Sequence, residues 1–586
     1  MLYHSPGVKM RDEPGFFQRF RIALVVAFFA FALAGALARV FYMQVIRGWE
    51  FGGRAEINYL RRVPIPPIRG RIMDRNGVVL ASWEPRFMAV ALLGDTGLTE
   101  DEVEKLRATI GADSLVVKQS YLGYAVLARD IQYDKALAVM ERSESFGWLL
   151  MLPWFTRTYP HSGPLSPIVG YVDADGVGKA GLEKTLNDEL MGSPGTKYLM
   201  VDAKGRVVKE DIYPPEEPSQ GKDIKLSVDS RLQEAADTLF RGYRSGAAVV
   251  MNIKTGEILV LYTKPYVGSW TMVYGTSEEK SAALSAPGSP LLNRAVSGLY
   301  PPGSTFKPVV ALAGLASGAI TPASVFCCGG GMKMGTRFFK CTGIHGCLDL
   351  VHGIEHSCNT YFYSIAARMG LPTFLDQLEK MGFLKRRYDL GIGGEKPALI
   401  PSMDYYRKNF GTHYGGAALN LSIGQGELLL TPLHMALVAG LVARGEIPLP
   451  HVVIQIGGEP YIPPETLRLS ISAENREAVK KGMLLVVESG TAKSCRLPGF
   501  KFGGKTGTAQ NPHGQDHSLF IFYAPYDDPE IAGAVVVEQG GFGATTAAPI
   551  ARELIRRYFG LPPAPLYIVK KKAGENQEQE EPEEIE

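Results

Sequence analysis

Tyr300-Pro301-Pro302-Gly303-Ser304-Thr305-Phe306-Lys307 runs directly into Pro308-Val309-Val310-Ala311-Leu312-Ala313-Gly314-Leu315-Ala316. Two prolines and a glycine stop whatever precedes them, and an apolar run follows, so a helix is expected to begin at or near Ser304. Residues three apart share a helical face, which sets the Lys307 amine beside the Ser304 hydroxyl. The helix N-terminus adds positive partial charge there. A serine hydroxyl is a weak nucleophile at neutral pH and needs a base, and an uncharged lysine amine is one. Taken alone, the same residues also suit a capping serine followed by a solvated lysine.

Two more motifs follow in order, Ser357-Cys358-Asn359 and Lys505-Thr506-Gly507-Thr508. Each of the three arises by chance in a chain of 586 residues; their order and context discriminate. Together they supply a nucleophile, a base, a polar bridge and a cationic strand for a carboxylate. Ser357 is a candidate relay for a proton between the lysines and a leaving amine. Asn359 offers a donor and an acceptor for a substrate backbone amide. Both also suit the polar face of an amphipathic helix. Lys501-Phe502-Gly503-Gly504 leads into the third motif, and glycines on a strand admit a second backbone. A peptide can add there as an extra strand, with Lys505, Thr506 and Thr508 gripping its terminal carboxylate. The backbone N–H groups of Ser304 and Thr508 are candidates for an oxyanion hole. Burial, with Lys505 as a second cation, is expected to lower the pKa of Lys307.

The rest of the chain frames these motifs. It is 46% hydrophobic with a net charge of +2, enough apolar mass for two or three domains and too little charge for a nucleic-acid field. From Ile22 to Ile46 run 25 mostly apolar residues, preceded by Lys9, Arg11, Arg19 and Arg21 against Asp12 and Glu13. That predicts a transmembrane helix over 22–46, a cytoplasmic N-terminus over 1–21 and export of the remainder. A cleaved signal peptide ending at Ala36-Leu37-Ala38 is the alternative. A Pro- and Arg-rich linker, 61–71, comes next, then an Asp74-Arg75-Asn76-Gly77 hairpin, and another hairpin is expected around Asp202-Ala203-Lys204-Gly205. Residues 48–225 read as an extended α+β module for spacing or docking. Residues 226–560 read as an antiparallel sheet flanked by helices, with a central hairpin through Ile253-Lys254-Thr255-Gly256. The acidic tail over 561–586 is expected to be disordered.

At this point the chain resembles a class B penicillin-binding protein over nearly its whole length. Arg69-Gly70-Arg71-Ile72-Met73-Asp74-Arg75-Asn76-Gly77 and Gly178-Lys179-Ala180-Gly181-Leu182-Glu183 resemble the motifs of that family's pedestal (dimerisation-type) domain. Asn293-Arg294-Ala295, the approach to Ser304, Ile423-Gly424-Gln425-Gly426 and Thr431-Pro432 resemble its penicillin-binding, serine β-lactamase-like transpeptidase domain. The resemblance implies a D,D-transpeptidase of peptidoglycan, with Ser304 forming an acyl-enzyme on stem peptides and β-lactams acting as covalent inhibitors. It implies a single-pass protein of the bacterial inner membrane with a periplasmic or extracytoplasmic catalytic domain. The implied partners are a SEDS-family membrane glycan polymerase of the RodA type and scaffold proteins of the elongation complex. Within the class the chain is most similar to the elongation type. That likeness implies a Zn²⁺ site at Cys328, Cys341, His345 and Cys358, whose thiolates and imidazole suit the metal. Disulfides or free buried thiols are the alternatives, and Cys327 or Cys347 can stand in for a neighbour. Rival functions are a D,D-carboxypeptidase or serine β-lactamase of the same fold, or a non-enzymatic β-lactam sensor.

Overall fold

The computed structural model describes residues 15–50, 59–92, 100–110, 118–119, 124–141, 149–202, 207–210, 212–411, 416–512 and 514–563. The charges at positions 9–13, residues 203–206 of the expected second hairpin and the acidic residues from 564 onward lie outside them. The chain forms two compact units. One comprises 1–66, 85–154 and 194–218; the other 67–84, 155–193 and 219–586. The division ignores residue 225, because two segments before it fold with the residues after it.

The first unit opens with the helix Phe16–Phe41, continued by a π-helical turn, Tyr42–Ile46. Arg19–Ile46 is long and apolar enough to cross a bilayer. The expected linker is partly a strand: Leu60–Ile65 pairs antiparallel with Gly195–Val201, which also pairs with Val207–Glu210. Pro64 is tolerated because its strand is the edge of that sheet. The pairing of 195–201 with 207–210 is the second expected hairpin. The charged stretch near 100 forms the helix Glu100–Ile110, as its composition suggests.

In the second unit the two pedestal motifs become one device. Glu183 is fully buried, and its carboxylate accepts from Arg69 Nε at 2.7 Å and Arg157 Nε at 2.6 Å. Two guanidinium groups flank one carboxylate, with the Tyr159 hydroxyl donating to it at 3.3 Å. Asp74, also fully buried, closes the Asn76-Gly77 turn by accepting from the N–H groups of Asn76 and Val78. Its second oxygen accepts from the Ser230 hydroxyl at 2.7 Å, at the start of the helix Ser230–Leu239.

The core of this unit is a five-stranded sheet in the order 258–264, 246–252, 531–537, 517–524, 503–509, antiparallel throughout. Every residue of Ile531–Val537 is buried. Successive side chains point to opposite faces, so both faces of the sheet are covered. The helices Ser230–Leu239 and Ala547–Tyr558 pack on the sheet and on each other. The helix Pro432–Arg444 crosses three strands and is apolar nearly all round, as a fully buried helix must be. It starts at the Thr431 cap, whose hydroxyl accepts from His434 N–H, and stops at Gly445 in the left-handed region. The strand Gly503–Ala509 is the sheet's free edge.

Candidate active site

Three elements deliver the three motifs to one place. Gly303–Phe306 is a single 3-10 turn and the α-helix proper starts at Lys307, so Ser304 and Lys307 remain on one continuous helical path. Gly303 has φ +52°, and a Cβ there would lie 2.6 Å from the Thr508 carbonyl oxygen, so the serine turn is pressed against the edge strand. Residues 424–430 strap it from the other side: Gly303 N–H donates to Gly424 O, and Tyr300 and Leu430 exchange both backbone bonds at 2.9 Å. Ser357 sits between the helices Leu350–Glu355 and Asn359–Met381 with φ +54°, a conformation costly for a residue with a Cβ.

Lys307 Nζ is fully buried and donates to Ser357 Oγ at 3.1 Å, Ser357 O at 2.6 Å and Asn359 Oδ1 at 2.6 Å. Lys505 Nζ, equally buried, donates to Ser357 Oγ at 2.9 Å and to Thr506 O at 3.2 Å. Ser357 Oγ thus receives both amines. Its two lone pairs are engaged and its own proton is left for the cleft. Burial pushes Lys307 down to about 7, against the opposing pull of Cys341 and Cys358. Burial, then the charge of Lys307, holds Lys505 well below the ordinary lysine range. Two amines joined through one hydroxyl in a dry site disfavour double protonation.

Two details refine the sequence expectation. Lys307 is hydrogen-bonded to Ser357 and Asn359 rather than to Ser304, whose hydroxyl has no partner among the described residues. Lys307 fills one lone pair of the Asn359 carbonyl oxygen, so the second lone pair and the amide NH₂ remain for the donor and acceptor roles expected of it. Thr506 and Thr508 lie two apart on the edge strand and share a face, as carboxylate gripping requires.

The cysteines divide by strand parity. Cys327 and Cys347 stand directly opposite each other on paired strands and form a disulfide, so neither replaces its neighbour as a ligand. Cys328, Cys341, His345 and Cys358 converge instead, their ligand atoms all within 4.8 Å of one another. His345 Nδ1 is 3.6 Å from Cys328 Sγ and from Cys341 Sγ, and the Cys341 and Cys358 sulfurs are 3.8 Å apart. Tetrahedral zinc with sulfur and nitrogen ligands gives ligand–ligand edges of about 3.3–3.8 Å. The donor set fits. A hydrogen bond from Cys358 lowers the Cys341 thiol, the direction that favours a thiolate there.

One contact escaped the sequence reading. The Thr491 and Thr506 hydroxyl oxygens are 2.8 Å apart. A glycine ending a long helix is legible at Gly490; that the next residue meets a strand fifteen positions on is not.

The fold and this cluster define a penicillin-recognising serine acyltransferase. Residues 246–556 match the penicillin-binding protein transpeptidase domain and residues 64–226 the penicillin-binding protein dimerisation domain. The chain is 29% identical to the peptidoglycan D,D-transpeptidase MrdA of Acinetobacter baumannii, over 93% of this chain and 88% of that one. It superposes on Helicobacter pylori PBP2 in its complex with MreC with a TM-score of 0.74 at 27% identity, covering 86% of this chain and 99% of that one. Against Pseudomonas aeruginosa PBP2 in complex with WCK 5153 the TM-score is 0.65 at 30% identity, over 85% and 96% of the two chains. The chain belongs to the penicillin-binding protein transpeptidase family, as a class B member of the elongation type.

Proposed function

We propose that this chain is a peptidoglycan D,D-transpeptidase that cross-links stem peptides during cell elongation and is blocked covalently by β-lactams. The observation that carries the reading is Ser357 Oγ bonded to both Lys307 and Lys505 beside the edge strand. A donor stem peptide pairs along 503–509 with its terminal carboxylate on Thr506 and Thr508. Ser304 Oγ attacks the penultimate D-alanine carbonyl while its proton passes to the neutral Lys307 amine. The negative oxygen of the tetrahedral intermediate faces the Ser304 and Thr508 N–H groups, a kind of contact typically worth about 3–4 kcal/mol. The proton then moves from Lys307 through Ser357 to the departing nitrogen, and D-alanine leaves. An acceptor amine attacks the ester, loses a proton back along the same path and frees Ser304.

Cys328, Cys341, His345 and Cys358 would hold Zn²⁺, which, when bound, would tie the 326–348 insert to the start of the catalytic helix. The apolar N-terminal helix supports a single-pass anchor in the bacterial inner membrane, with a cytoplasmic N-terminus and an extracytoplasmic catalytic domain. The proposed partners are a SEDS-type glycan polymerase of the RodA kind and an elongation scaffold. The match to a peptidoglycan synthase complex, 28% identical over 94% of this chain with a TM-score of 0.70, supports the first. An apolar cavity of about 500 Å³ in the first unit, lined by Val63, Ile65, Met140, Leu150 and Leu152, has the chemistry for the second.

The test is a donor pentapeptide incubated with an acceptor amine. The parent releases D-alanine and forms the cross-linked peptide; Ser304→Ala does neither. D-alanine release with water as the sole acceptor would make the chain a carboxypeptidase instead.

A further inference from the structure

We propose that Thr491 is a positioning residue of the carboxylate site, acting through Thr506; the inference rests on the transpeptidase reading above. A threonine hydroxyl has one proton and two lone pairs. To donate its proton to a substrate carboxylate, Thr506 is helped by a donor that fills one of its lone pairs. Thr491, 2.8 Å away, is in place to be that donor. Once the anion arrives, the order Thr491 O–H to Thr506 Oγ, then Thr506 O–H to carboxylate, is the arrangement in which each bond polarises the next.

The geometry is built rather than incidental. The helix Ala473–Glu488 ends in a turn whose Gly490 and Ala492 N–H groups are tied back to Leu485 and Val486. The Ser489 hydroxyl donates to Glu355, two residues before Ser357. A Cβ on Gly490 would sit 2.6 Å from the Glu355 carbonyl oxygen, so only glycine lets the turn approach this closely. The turn is therefore held against the same segment that carries Ser357, and Thr491 is the residue it presents to the edge strand. Thr491 is exposed while Thr506 is buried, so the pair runs from solvent inward.

The test compares acylation by benzylpenicillin, which carries a carboxylate, with acylation by its methyl ester, using intact-mass adduct formation on the full chain. Thr491→Val is expected to slow the carboxylate form about 5- to 20-fold, the range of one hydrogen bond in a charge-assisted chain, and the ester less than about twofold. Thr491→Ala should match Val, and Thr491→Ser should restore the parental rate. Equal losses on both compounds, or no loss on either, would overturn the proposal. A parent that reacts equally with acid and ester would instead overturn the carboxylate assignment of the edge strand, and the proposal with it.

Discussion

Lys307 has three acceptors around a dry ammonium site, yet its task requires it uncharged. Burial resolves the conflict by bringing its pKa down to about 7. The competent form is the neutral amine, whose fraction grows as pH rises through that value. The rate of acylation by a labelled penicillin should therefore climb about tenfold per unit below pH 7 and level off above it. A flat profile between about pH 5.5 and 8.5 would contradict a Lys307 base. Ser357→Ala removes the hydroxyl joining the two amines and should slow acylation about 100-fold or more, measured by the same adduct assay. The motif residues were legible because S-x-x-K, S-x-N and K-T-G name residue types as well as spacing. What escaped was the direction of each hydrogen bond. Nothing in the chain says that the Lys307 amine bonds Ser357 and Asn359, or that Thr491 meets Thr506.

Among the elements, the strap and the buried carboxylate carry the sharpest consequences. A Cβ on Gly424 would fall 2.1 Å from the Gly303 carbonyl oxygen at φ +71°. Gly424→Ala should lose about 1–3 kcal/mol of stability from backbone strain alone and displace the serine turn, so melting temperature and acylation rate fall together. Glu183→Ala leaves two guanidinium groups without their carboxylate. It should lose about 3–5 kcal/mol in denaturant unfolding, whereas an exposed ion pair would change almost nothing. The antiparallel sheet flanked by helices expected over 226–560 is what the second unit contains, and the Thr431-Pro432 pair quoted from the sequence opens its helix Pro432–Arg444. The 60–65 strand was not legible, because Pro64 reads as linker until its place on a sheet edge is known. The residues alone left the choice between Cys327 and Cys328 open for a related reason. Adjacent residues on a strand face opposite ways, and only the register of 326–328 against 346–348 decides which of Cys327 and Cys328 meets Cys347.

For the molecule as a whole, the family, a long apolar N-terminal helix and the catalytic domain followed from order along the chain. The compact units did not, since segments 67–84 and 155–193 join a later core through side chains that linear spacing does not pair. If the four-residue cluster holds zinc, thiol-protected full-length protein should contain about one zinc per chain by elemental analysis, and chelation should lower its melting temperature. Metal-free protein with unchanged stability would show that the four residues hold no zinc. All of the proposed chemistry starts at one hydroxyl, that of Ser304. Intact-mass spectrometry after exposure to a labelled penicillin tests it most directly, with the parent and Ser304→Ala run side by side. One persistent adduct is expected on the parent, localised to Ser304 by peptide mapping, and none on the variant. An adduct of equal yield on both, or none on the parent, would contradict it.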